Sequence, residues 1–64
     1  MIRTLYQQIY DNNKRYVELA CTPDDPLPTA GIITGSVATE VDAEHDKINA
    51  YIFDEESGEW VKGG

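Results

Sequence analysis

Lys47-Ile48-Asn49-Ala50-Tyr51-Ile52-Phe53-Asp54-Glu55-Glu56-Ser57-Gly58-Glu59-Trp60-Val61-Lys62 holds the hairpin from which the rest of the chain can be ordered. Lys47 to Phe53 alternates, with Ile48, Ala50 and Ile52 facing one way. Such a period of two belongs to a strand. Asp54 to Glu59 is polar and has a glycine late in the loop, where a type I turn ending in a left-handed residue needs one. Four loop residues between Asp54 and Glu59 set Phe53 opposite Trp60 and Ile52 opposite Val61. This gathers aliphatic side chains on one face of the hairpin and aromatic ones on the other.

Working toward the amino terminus, Asp42 to Asp46 reads as a polar turn. Ser36 to Val41 reads as a strand with Val37, Thr39 and Val41 on one side. Gly31 and Gly35 bracket Ile32-Ile33-Thr34 as turn residues. Pro23-Asp24-Asp25-Pro26-Leu27-Pro28 can be neither helix nor central strand, because three prolines remove amide donors and restrict the residues before them. Arg15 to Cys21 alternates, is rich in β-formers, and follows Asp11-Asn12-Asn13-Lys14, where asparagines tolerate a left-handed turn. Arg3 to Tyr10 supports two readings, a strand paired with Arg15–Cys21 or a short N-terminal helix, since Ile2, Leu5, Tyr6 and Ile9 also have helical spacing. The hairpin reading sets Ile9 opposite Val17 and Leu5 opposite Cys21, with Leu5, Ile9, Val17, Leu19 and Cys21 on one face and Tyr6, Tyr10 and Tyr16 on the other. The sequence thus predicts an all-β or β-rich single domain over residues 1–64 with four to five antiparallel strands. Its expected parts are an N-terminal hairpin over 3–21, a Pro-rich connector over 22–30 and a β-meander over 31–62.

A chain of 64 residues buries only about 60% of the surface that its unfolded form exposes. Small domains of this kind draw on disulfides, metals or association with another chain. Cys21 is the single cysteine, so an internal disulfide and a Cys-based zinc site are excluded and association is left. The net charge is −7 and unevenly spread: residues 1–21 carry three bases against two acids, residues 22–64 two bases against ten acids. Without a basic footprint, direct nucleic-acid binding is not expected. No apolar run reaches the roughly 20 residues of a membrane-spanning helix, so no membrane partner is expected either.

The parts of an enzyme are missing. His45 is the only histidine and stands between Glu44 and Asp46 in a turn. A nucleophile would have to come from Ser36, Ser57 or Cys21 in distant segments. Asp42-x-Glu44-x-Asp46 resembles the start of a calcium loop, but Lys47 stands where the glycine belongs and Phe53 where the bidentate glutamate belongs. Gly31 to Gly35 lacks the lysine of a phosphate loop. The sequence therefore predicts no catalytic, cofactor-binding or metal residues and no cofactor.

The aromatic residues carry the strongest functional signal. Tyr6, Tyr10 and Tyr16 on one hairpin, and Tyr51, Phe53 and Trp60 on the other, cannot all share one small core with the aliphatic set. Exposed aromatic surface marks interfaces, where Tyr and Trp are enriched. These six are the candidate interface residues, and the alternative is a chain that folds over itself and buries both sets.

The order of Lys14-Arg15-Tyr16-Val17-Glu18-Leu19, Pro28-Thr29-x-Gly31-Ile32, Gly35-Ser36, Glu40-Val41-Asp42 and Ala50-Tyr51-Ile52-Phe53-Asp54-Glu55-Glu56-Ser57-Gly58-Glu59-Trp60-Val61 resembles a group of small virion-associated proteins from phages and prophages of Gram-positive bacteria, head-fibre-like modules among them. In those proteins a tight Thr-Gly-type turn follows the Glu-Val-Asp, whereas here Ala43-Glu44-His45-Asp46 makes it longer and more charged. The resemblance implies a non-enzymatic virion accessory or structural protein, made in the bacterial host cytoplasm and located in the virion, whose partners are copies of itself, phage structural proteins, or both. The lopsided charge offers an alternative, an acidic nucleic-acid mimic that inhibits a DNA-binding host protein.

Calcium, magnesium and zinc at millimolar concentration are expected to leave the melting temperature unchanged. An ion at about 100 times its dissociation constant would add about 2.7 kcal/mol, and calorimetry would register that as a rise of several degrees.

Overall fold

The computed structural model describes residues 1–10 and 13–63. It contains one five-stranded sheet in the order β1-β2-β3-β4-β5, with β1 at Arg3–Ile9, β2 at Arg15–Cys21, β3 at Val37–Asp42, β4 at Lys47–Asp54 and β5 at Glu59–Gly63. The β-rich expectation holds, and Arg3–Ile9 is a strand rather than a helix.

The last hairpin has the pairing that its loop length requires, Phe53 opposite Trp60 and Ile52 opposite Val61. Gly58 takes φ 71° in the turn, and its amide donates to the Asp54 carbonyl at 2.8 Å. In the first hairpin Ile9 faces Arg15 rather than Val17, and Leu5 bulges out between Thr4 and Tyr6 instead of facing Cys21. The chain closes tightly here, with Tyr10 N–H donating to the Lys14 carbonyl at 2.7 Å and Asn13 at φ 66°. Asp11 and Asn12 of the expected turn lie outside the described residues. A slip of two residues keeps side chains on their expected faces, so Tyr6 and Tyr16 remain neighbours, with ring centroids 6.0 Å apart.

The larger departure is that β2 and β3 run parallel, Leu19 beside Ala38 and Cys21 beside Glu40. The sheet is mixed, not purely antiparallel, because the chain between these strands crosses one face of the sheet instead of reversing at its end. A parallel pair requires such a crossover, commonly a helix, but three prolines forbid a helix here. The connector is instead built from local turns. Asp25 N–H donates to the Thr22 carbonyl at 3.1 Å, around a Pro23 that supplies the φ a turn needs at its second position. Thr22 N–H donates back to Asp25 Oδ2 at 2.9 Å.

Ile32 then meets Arg15 in a parallel bridge, held by Arg15 N–H to the Gly31 carbonyl and Ile33 N–H to the Arg15 carbonyl, each 2.9 Å. The ladder breaks at the next step. Ser36 N–H turns back to the Ile33 carbonyl at 3.2 Å, in a turn whose third residue, Gly35, has φ 99°. That turn takes from Val17 the carbonyl it would otherwise meet. The Ser36 hydroxyl replaces it, accepting from Val17 N–H at 3.1 Å, and the Ser36 carbonyl accepts from Phe53 N–H at 2.9 Å. Ser36 is fully buried.

The connector covers the face bearing Val17, Leu19, Ala38 and Phe53, which form the core with Ile32; Ile2, Leu27, Tyr51 and Trp60 pack around it. Each large apolar side chain taken from water contributes about 1.5–3 kcal/mol, so connector residues matter as much as strand residues. Trp60 ties the two layers together. Its Nε1 donates to the Pro28 carbonyl at 2.8 Å, and its ring lies tilted on Phe53 with centroids 5.1 Å apart.

Replacing Ser36 with alanine removes the only acceptor shown for Val17 N–H without disturbing the backbone. Leaving a buried donor unpaired costs about 1–3 kcal/mol. Urea denaturation of Ser36→Ala should show this loss with an unchanged slope; wild-type stability would mean that the hydroxyl does not bridge the two strands.

Candidate functional site

The six aromatic candidates divide between the two faces. Phe53 is 2% exposed and belongs to the core, so in the single chain it is not a surface residue. Tyr51 and Trp60 are half-buried beside it. The reason is the β2–β3 register: Leu19 stands beside Ala38, Ala38 opposite Tyr51, and Phe53 opposite Trp60, which carries the aromatic side of the last hairpin to the covered face. A shift of one residue would have sent Val37, Ile52 and Val61 there instead.

Tyr6, Tyr10 and Tyr16 lie on the other face. Tyr16 is half-buried, and its hydroxyl donates to Glu18 Oε2 at 2.7 Å, a bond that raises the phenol above its ordinary pKa. The Tyr6 hydroxyl donates to Gln8 Oε1 at 3.2 Å. Beside these tyrosines the register aligns Val37, Thr39 and Val41 of β3, Ile48, Ala50 and Ile52 of β4, and Val61 of β5. Among the described residues no segment crosses them. Val41 is 45%, Ile52 47%, Val61 52% and Ile48 72% exposed. The aliphatic half of this face was missed because alternation groups residues by side without revealing which side is covered.

One carboxylate lies within this face, that of Glu18 beside Val37; the β3, β4 and β5 positions named above are neutral. Asp24 and Asp25 follow β2, and Asp42, Glu44 and Asp46 lie around the β3–β4 turn, at one end of the sheet. Asp54, Glu55, Glu56 and Glu59 surround the β4–β5 loop at the other end. Several carboxylates have specific partners. His45 Nδ1 lies 2.8 Å from Asp42 Oδ2, and this bond holds the Asp42 carboxyl below its usual range. Glu55 bonds Lys14 Nζ, accepts from Thr34 N–H at 3.0 Å and returns a bond from its own amide to Thr34 Oγ1 at 2.8 Å. Lys14 first, then the Thr34 amide, lower its pKa.

The other possible chemistry stays dispersed. A shallow concavity of about 460 Å³ lies between the Thr22–Asp24 turn and Val41–His45. The hydroxyl of Ser57 donates to Asp54 Oδ2 at 3.2 Å, and burial raises the Cys21 thiol. Among the described residues no group of three or more His, Cys, Asp or Glu side chains is arranged to hold a metal ion. No protein-family model matches the chain, and comparison with curated proteins and with solved structures finds no similar protein.

The Glu55 contacts give a pH dependence of defined sign. A carboxyl whose folded pKa lies below its ordinary 4.5 binds fewer protons folded than unfolded, so its contribution is complete above that value and is lost as pH falls through the lower folded value. Melting temperature should therefore decline on acidification below about pH 4.5. In Glu55→Gln, which keeps an acceptor for Thr34 but not the charge, the decline should be shallower. Identical acid limbs for the two proteins would rule out this role for Glu55.

Proposed function

We propose that this chain is a non-enzymatic accessory or structural protein of a phage particle, made in the bacterial host cytoplasm and acting through assembly with copies of itself and with other particle proteins. One observation carries the assembly part of the reading: a single sheet covered on one face and bare on the other, with Val41, Ile48, Ile52 and Val61 about half exposed or more. A sheet is stable when both of its apolar faces are buried in a layered structure, and contiguous apolar surface on a soluble chain marks an interaction site. The phage part rests on the sequence resemblance, whose quoted segments supply strands β2 to β5 and the joint at Ser36. The acidic-mimic alternative has less support, because most of the carboxylates form two groups at opposite ends of the sheet, with Glu18 and Glu40 apart from them in β2 and β3, rather than one continuous track.

The reading is tested in a lysogen or infected culture that produces the chain. Particles banded on a density gradient should contain it in fixed proportion to a capsid protein. Ile48→Lys or Val61→Lys, each adding a charge to the bare face, should lower its incorporation while leaving the soluble pool intact. Wild-type chain confined to the soluble fraction would defeat the particle assignment.

A further inference from the structure

We infer that the bare face is filled by a second copy of the chain, packed sheet against sheet into a two-layered β-sandwich. This deepens the assembly reading and rests on it. Two features favour a second copy over a partner of different chemistry.

The first is charge. The chain carries −7 overall, so a basic partner would be expected to meet carboxylates. Over β3, β4 and β5 the bare face has none: Val37, Thr39, Val41, Ile48, Ala50, Ile52 and Val61 are neutral and in register. Its one carboxylate inside the sheet is Glu18 of β2, beside Val37 and bonded by the Tyr16 hydroxyl, while the acids of the turns lie at both ends. Two such faces can meet over β3, β4 and β5 without opposing like charges, Glu18 of β2 lying to one side of that contact, whereas the loop ends of two copies would repel. Contact is thereby limited to the strands, as a two-fold interface in which one patch meets its own equivalent requires.

The second is area. The strands are five to eight residues long. Five strands about 4.8 Å apart, with about 3.3 Å per residue, outline a patch of roughly 550 Å². Two copies would together bury about 1,100 Å², just above the roughly 1,000 Å² that separates a specific interface from incidental contact. Aligned sheets pack about 10 Å apart at about 30°, which leaves the connectors on the outside of both layers.

The test is sedimentation of the wild-type chain over about a hundredfold concentration range, with melting temperature followed in parallel, since folding and association are linked. A monomer–dimer equilibrium is expected. Ile48→Lys and Ile52→Glu alter exposed positions, and each should weaken the dimer by about 100-fold, the effect of an unpaired charge in a desolvated contact. Circular dichroism of the diluted variants should match wild type. Val41→Lys and Val61→Lys serve the same purpose at other points on the face if either variant fails to fold. Mixing Ile52→Lys with Ile52→Glu should restore association, a result that only a face meeting its own equivalent produces.

A wild-type chain that is monomeric at every concentration overturns the inference. If Ile48→Lys is nevertheless lost from particles, the face belongs to a particle protein and the assembly reading survives. A dimer indifferent to every substitution on the face also overturns it. A dimer through this face in a chain absent from particles supports the inference and removes only the phage assignment.

Discussion

The parallel pairing of β2 and β3 governs this fold. Antiparallel neighbours can be joined by a tight turn at the edge of a sheet, but parallel neighbours cannot. The chain must return to the end from which it started, and in doing so it crosses a face. Here that crossing is made by 22–36, a segment barred from helix by its prolines. It supplies Leu27 and Ile32 to the core and makes the difference between the two faces. The price is a broken ladder where the chain passes from β2 toward β4. One serine repairs it, its hydroxyl serving Val17 and its carbonyl serving Phe53.

Local features were legible in the sequence wherever they were set by neighbours along the chain. Alternation over Arg15–Cys21 and Lys47–Phe53, and a glycine placed late in a polar loop, determine strand identity and the Phe53–Trp60 register. The β1–β2 register was harder to read, because Leu5 in its bulge and Ile9 beyond the reach of the connector are both exposed. Apolar matching, which would pair them with Cys21 and Val17, had no core to enforce it. The β2–β3 pairing lies between segments separated by the connector, and nothing in either strand's alternation encodes its direction.

That single non-local pairing also decided the candidate site. The tyrosines of the first hairpin were correctly grouped on one face, as were the aromatics of the last. Which groups share a side depends on whether Leu19 stands beside Ala38 or beside one of its neighbours. Once it stands beside Ala38, the tyrosines join the aliphatics of β3, β4 and β5 on the bare face, and Phe53 is drawn inside. Loop acids were read from the sequence as an overall negative charge; their division between the two ends of the sheet emerges only from the strand order.

The bond between Trp60 and Pro28 gives the molecule a built-in optical reporter. The only indole in the chain lies on the covered side, with its N–H tied to the connector at 2.8 Å and its ring against Phe53. Its emission therefore follows the seating of the connector on the sheet. The bare face carries Tyr6, Tyr10 and Tyr16 but no tryptophan, so events there register in tyrosine emission. Because Tyr51 lies on the covered side, tyrosine emission comes from both sides of the sheet; the indole alone reports one side, and through it the closing of the first layer can be timed independently of whatever meets the second.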